Sequence, residues 1–243
     1  MFSGMIFDLD GVIADTHSIH RQAWRQLLLE NGYYVTEEEL DFILEGHKRD
    51  DILSHFFGTL PTTEMLRLGR RKDELFLGQS AAGLRPIAGV VNFLDELDIA
   101  GAASAVATSA SKHRAHMILE RLGLATRFRG VVTGDDVSKG KPDPSVFHLA
   151  AECLHVRPEE LLVAEDSAAG VRAAKSAGMK CLGIASGALA ARLYQEGADC
   201  VVPGFGAIST RICRTYFTLR ARRLRSNNIR AKASGCKLAT PCS

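Results

Sequence analysis

Short apolar runs rich in β-forming residues alternate along this chain with longer stretches whose apolar positions recur at helical spacing. That alternation is the pattern of a parallel sheet whose strands are joined by crossover helices. The runs at 5–7, 104–107, 130–132, 161–164, 180–184 and 199–202 predict the strands. Each ends near a Gly, Ser, Thr or acidic cluster. Ligands of open α/β sheets bind beyond the carboxyl ends of the strands, so chemistry is expected in those clusters.

The spacing has one irregularity. About ninety residues separate the first strand from the second, far more than a single crossover needs. Within that stretch Ile19, Ala23, Trp24, Leu27 and Leu28 fall on one helical stripe. Further helices are predicted at 37–44 and 64–77, and 87–97 reads as the helix that returns the chain to the sheet. The fold class is α/β, with a Rossmann-like parallel-sheet core at 1–13 and 84–208. An inserted α-helical cap domain is expected at 14–83 and a basic C-terminal extension, frayed or poorly ordered, at 209–243.

Composition narrows the class without changing this picture. A chain of 243 residues, 46% hydrophobic and 24% charged, suits a soluble globular protein with one large domain and a sizeable insert. Its apolar stretches fall well short of the roughly 18 residues of a membrane span, and its start lacks the basic region and cleavage site of a secretory leader. A cytoplasmic monomer is expected. The six cysteines include no CxxC pair and no zinc-type spacing, which reads as unlinked thiols in a reducing compartment. The net charge of +2 conceals an asymmetry. From Arg214 onward there are eight Lys or Arg and no acid, leaving 22 basic against 28 acidic residues before it, a net of −6.

Candidate chemistry begins where the first strand runs into Phe7-Asp8-Leu9-Asp10-Gly11-Val12. Two nearby carboxylates, with a glycine that lets the backbone bend around a ligand, suit metal-assisted phosphoryl transfer. One aspartate attacks phosphorus and the other moves the proton on the entering or leaving oxygen. Taken alone, a DxDG also fits a capped turn with solvated acids. Three further clusters follow later strands: Thr108-Ser109, then Lys141-Pro142, then Glu165-Asp166-Ser167. Ser109 offers a neutral hydroxyl, Lys141 a fixed positive charge and Asp166 a hard oxygen ligand, the pieces needed to hold a phosphoryl group and Mg²⁺ together.

These residues carry a resemblance. Phe7-Asp8-Leu9-Asp10-Gly11-Val12-Ile13, Thr108-Ser109, Lys141-Pro142 and Glu165-Asp166-Ser167-Ala168-Ala169-Gly170 look like the four motifs of the haloacid dehalogenase-like superfamily. Within it the chain resembles the β-phosphoglucomutase-like group, which carries a helical cap after the first motif. The resemblance covers about residues 1–205 and implies that Asp8 is the nucleophile and Asp10 the general acid/base. It implies Mg²⁺ held by Asp8, the backbone carbonyl of Asp10 and Asp166, with Glu165 in or beside that shell. Ser109, Ala110 and Lys141 would hold the transferring phosphoryl oxygens, consistent with the dependence of phosphoryl transfer on positioning and charge compensation.

The cap start resembles that group as well, with Thr16, His20 and Trp24 at matching places, and the resemblance implies that His20 positions Asp10 when the cap closes. Gly46, Arg49 and Lys72 match cap positions, Arg49 as a fork for a second phosphate. Ser111 and Lys112 match on the core side. Two residues depart: Glu45 stands where the mutases carry lysine, and His113 where they carry asparagine. Asp10 argues against halide displacement, which needs no acid, and a phosphonate-cleaving branch would require an imine-forming cap lysine such as Lys48 or Lys72. The substrate expected is a small phosphorylated sugar, turned over by a sugar-phosphate phosphatase. The alternative is a β-phosphoglucomutase interconverting β-glucose 1-phosphate and glucose 6-phosphate. A remote alternative is a non-catalytic protein binding nucleic acid or an anionic membrane through the basic tail.

Overall fold

A computed structural model describes residues 3–80 and 83–211. Among these residues β1 (Gly4–Phe7), β2 (Ala103–Ala107), β3 (Val131–Val132), β4 (Leu161–Glu165), β5 (Lys180–Ile184) and β6 (Cys200–Val202) form one sheet. All neighbours are parallel, in the order β3-β2-β1-β4-β5-β6. The predicted strands coincide with these to within a residue at each end. Because the order turns back at β1, the carboxyl ends of β1, β2 and β4 open onto the crevice where such sheets bind ligands.

Alternation along the strands builds two apolar layers. Met5 and Phe7 join Val106, Leu162 and Ala164 on one face, covered by Phe93 and Leu97 of α5 (Val90–Ile99) and by Ile118 and Leu119 of α6 (Lys112–Arg121). Ile6, Ala105, Ala107 and Val163 line the other face, under Phe147 of α7 (Ser145–Leu154) and Ala173 of α8 (Ala168–Ser176). Burial of each large side chain contributes about 1.5–3 kcal/mol, so the sheet centre is the rigid part that carries the motifs. Helix α9 (Gly187–Gln195) adds Leu193 to the second layer.

Between β1 and α5 the chain forms α1 (His17–Glu30), α2 (Glu37–Asp41), α3 (Arg49–Phe57) and α4 (Thr62–Ser80). This segment, here the cap, has its own apolar cluster of Trp24, Leu27, Leu40, Ile43, Ile52, Leu53 and Leu68. The predicted helix at 37–44 divides into α2, started by a Thr36/Glu39 capping box, and a 3₁₀ turn at Phe42–Leu44. Helix α3 was not among the predicted elements, although Ile52, Leu53, Phe56 and Phe57 sit at helical spacing. The returning helix starts at Val90 rather than 87, because Gly89 at φ +83° and the pairing of Ile87 N–H with Ile13 O hold the preceding residues in another path. The two connections between cap and core run side by side, joined also by Asp15 N–H to Arg85 O. The basic extension from residue 212 onward lies outside the described residues.

In this structure the cap is down on the core. Ser109 Oγ donates to Gly46 O at 2.7 Å, Lys48 Nζ to Val137 O at 2.9 Å, and Arg192 of α9 pairs with Glu45 at 2.7 Å.

Candidate active site

Asp8 lies one residue past β1, its N–H bonded to Ala164 O at 3.0 Å, so the central strand aims it into the crevice. Lys141 Nζ reaches it at 2.6 Å and also bonds Glu165 Oε1 at 2.7 Å and Ala107 O at 3.2 Å. Three donors thus meet three acceptors, which satisfies a buried ammonium. Burial would lower the Lys141 pKa, but Asp8 and Glu165 overcome it and push it upward. The Asp8 carboxyl moves well above its ordinary range, driven first by burial and then by Glu165, Asp166 and Asp10, with Lys141 opposing.

Glu165, expected in or beside a metal shell, has both oxygens committed beneath the site. Oε1 takes Lys141, and Oε2 accepts from the N–H groups of Asp166 and Ser167, each at 2.8 Å, and from Ser167 Oγ at 2.9 Å. Its place depends on Gly170, where an added Cβ would fall 1.8 Å from Glu165 Oε1. Gly170→Ala is therefore expected to destabilise the fold by about 2–4 kcal/mol through overpacking and displacement of this carboxylate, read as a lowered denaturant midpoint. A wild-type midpoint would show that Glu165 is not so confined.

Asp10 is gripped on both oxygens. Oδ1 accepts from Thr16 Oγ1 at 2.7 Å and lies 3.1 Å from His20 Nε2, while Oδ2 lies 3.1 Å from Arg114 Nη1. Although burial raises its pKa, Arg114, His20 and Thr16 together hold the carboxyl well below the usual carboxylate range. Burial first, then Lys72, pulls His20 down to about 3, so the imidazole is neutral. Its Nε2 lies between Asp10 Oδ1 and Arg114 Nη1, and its Nδ1 lies 3.0 Å from Lys72 Nζ. Lys72 is itself buried, over Trp24 and Phe76, and burial with Arg114 nearby lowers its pKa well below the ordinary value.

Asp166 meets His17 Nε2 at 2.8 Å. Burial works against charge on His17, but the hydrogen bond and charge of Asp166 prevail and raise it to about 9. Gly11, at φ +77°, makes room for this pair: a Cβ there would fall 1.9 Å from Asp166 Oδ2. Asp8 and Asp166 are hard oxygen donors, and burial raises the pKa of both. A nearby cation would offset that cost. Among the described residues no three His, Cys, Asp or Glu side chains form a ready cage. Mg²⁺ is commonly held by one or two carboxylates with waters, so Asp8, Asp166 and a backbone carbonyl fit it.

Asp8, Asp10 with Thr16 bonded to it, His20, Trp24, Gly46, Arg49, Lys72, Ser109 and Asp166 meet at one cavity of about 60 Å³, which all of them but Thr16 line. Ser109 is engaged by the cap at Gly46, and Ala110 N–H by Thr108 Oγ1 at 3.1 Å. Arg49 Nη1 pairs with Asp73 Oδ2 at 3.0 Å, and Ser111 Oγ donates to the same oxygen at 3.2 Å. Those two with Lys48 line a second cavity of about 240 Å³. Lys112 and His113 are exposed and belong to neither cavity lining. His17, Asp73 and Arg114 were not anticipated, since nothing local to them signals a role. The nearest signal for Arg114 is its place in the first turn of the helix after Ser109-Ala110-Ser111, which starts at the sheet's ligand edge.

A parallel sheet with paired aspartates at its switch point, a buried lysine beside them and a helical lid above defines a capped α/β enzyme of the phosphoryl-transfer type. Residues 5–184 match the family of haloacid dehalogenase-like hydrolases, and the chain belongs to it and is an enzyme of that kind. It is 33% identical to the β-phosphoglucomutase of Bacillus subtilis over 82% of this chain and 88% of that one. It is 34% identical to the phosphorylated carbohydrates phosphatase of Thermotoga maritima over 72% and 82%. A crystal structure of β-phosphoglucomutase from Clostridium difficile superposes with a TM-score of 0.80 at 24% identity, covering 91% of this chain and 99% of that one, a likeness of fold. No helix among the described residues is long and apolar enough to cross a membrane.

Proposed function

We propose that the protein is a Mg²⁺-dependent phosphotransferase that hydrolyses a small phosphorylated sugar through an aspartyl-phosphate on Asp8. The observation that carries this reading is Asp8 at the end of the central strand, held by Lys141, with Asp10 gripped beside it under a closed cap. An Asp8 oxygen bonds to phosphorus as the bond to the sugar oxygen breaks, and Asp10, held ionised at rest by Arg114, His20 and Thr16, passes to that oxygen a proton brought in on the phosphate monoanion. Water then attacks the aspartyl-phosphate, yielding its proton to Asp10 and releasing phosphate and free Asp8. Lys141 faces the charge on the transferring oxygens, and the cap excludes bulk water. Mg²⁺, held by Asp8, Asp166 and the Asp10 carbonyl, would offset repulsion between carboxylate and phosphate.

Transfer to a second sugar hydroxyl instead of water would make the same site a mutase. Glu45 favours hydrolysis: it carries negative charge where the mutases resembled carry lysine, and it is tied to Arg192 instead of facing a phosphate. The deciding experiment follows free phosphate and isomer formation over a panel of sugar phosphates with Mg²⁺. Phosphate release, abolished by EDTA and restored by Mg²⁺, is expected. Glucose 6-phosphate formed from β-glucose 1-phosphate and a bisphosphate primer, without net phosphate, would establish the mutase. No turnover of any ester would end both readings.

A further inference from the structure

One buried charge in the cavity has no part in the function proposed above. Arg114 stands in the first turn of α6, a core helix, yet its guanidinium ends beneath the cap. Nη1 lies 3.1 Å from Asp10 Oδ2 and against His20 Nε2, and the guanidinium lies over the Phe76 ring of α4 at 5.2 Å. The backbone that presents it is fixed by Ser111, whose Oγ accepts the Arg114 N–H at 3.4 Å as the helix cap.

Asp10 is thereby anchored from two directions. Thr16 and His20 hold Oδ1 from the cap's first residues, and Arg114 holds Oδ2 from the core. A carboxylate bonded through one oxygen still turns about its broad terminal torsion, whereas an anchor on the other oxygen fixes its plane. Proton transfer needs the acid within about 2.6–3.2 Å of the oxygen it serves, so this orientation bears directly on rate.

We infer that Arg114 is a positioning residue for Asp10, the core-side anchor that completes the grip begun by Thr16 and His20. Because the same guanidinium lies against His20 and Phe76, docking of the cap and alignment of the acid are one event. The inference rests on Asp10 being the acid/base of the proposed reaction.

The test compares two esters in single turnover, following release of the leaving group in the first half-reaction. One is the best sugar phosphate of the panel, whose alkoxide must be protonated. The other is p-nitrophenyl phosphate, whose leaving group departs without a proton. Arg114→Met, which keeps the apolar stem over Phe76, is expected to slow the sugar phosphate about thirtyfold or more. Its KM and the nitrophenyl rate should stay within about threefold, and Arg114→Lys should recover part of the loss. Should the methionine variant melt early, Arg114→Gln carries the same comparison.

Equal slowing of both esters, no slowing of either, or a raised KM with unchanged rate would overturn the assignment, the last pointing to an anion on the substrate. Wild-type protein that turns over neither ester would strike the proposed reaction, and the role of Arg114 with it.

Discussion

Asp8→Asn is expected to lower turnover of every accepted phosphate ester by about four orders of magnitude or more, because an amide cannot form the acyl-phosphate bond on which both half-reactions of the proposed mechanism depend. Stability should not follow activity. In the native protein this carboxyl is buried among Glu165, Asp166 and Asp10, all of which disfavour its charge. The amide removes that repulsion, while Lys141 keeps Glu165 and the Ala107 carbonyl as partners. The melting temperature without metal is therefore expected to hold or rise. The increase expected from Mg²⁺ in the wild type should shrink, since stabilisation by a ligand falls as its affinity for the folded state falls. A variant retaining a hundredth of wild-type turnover would remove Asp8 from the mechanism.

Lys141→Met combines a kinetic loss with a structural one. It deletes the counter-charge of two buried carboxylates at once, and breaking a buried ion pair from one side costs about 3–5 kcal/mol. For a protein of this size that corresponds to a melting temperature lower by roughly 6–20 °C. Activity should fall about a thousandfold, as when one preorganised charge facing the reacting group is lost. Adding Glu165→Gln separates the two effects. The amide oxygen can still accept from Asp166 N–H, Ser167 N–H and Ser167 Oγ, while one orphaned charge disappears. The double variant is expected to regain a good part of the lost stability and none of the lost activity. A single variant that melts with the wild type would show that the Lys141 pairs with Asp8 and Glu165 contribute no net stability.

The two substitutions also bear on how the site tolerates its charge. Asp8, Glu165 and Asp166 are all buried, and Lys141 with His17 are the cations that meet them directly. On the other side of the cavity Lys72, His20 and Arg114 form a row next to Asp10, with the imidazole neutral between two bases. The cavity therefore has an acidic wall from the sheet and a basic wall drawn largely from the cap. A phosphate ester approaching the acidic wall needs a cation there, and that need is the physical ground for the proposed Mg²⁺.

Residue order alone determined the strands, the place of the four motifs at their carboxyl ends and the helical character of the stretch after the first motif. Those features travel with the local chain: side-chain period, a glycine that bends the backbone, a hydroxyl that starts a helix. Helix α3 is legible in the same way, from Ile52, Leu53, Phe56 and Phe57 at helical spacing. Tertiary structure alone decided that Glu165 belongs to Lys141, that His17 meets Asp166, that Asp73 joins Arg49 to Ser111, and that Glu45 meets Arg192. Only there does Arg114 reach Asp10, because that pairing joins positions about a hundred residues apart. It exists because sheet order brings β1 and the start of α6 to one edge while the cap folds down on both, and no local pattern carries that information.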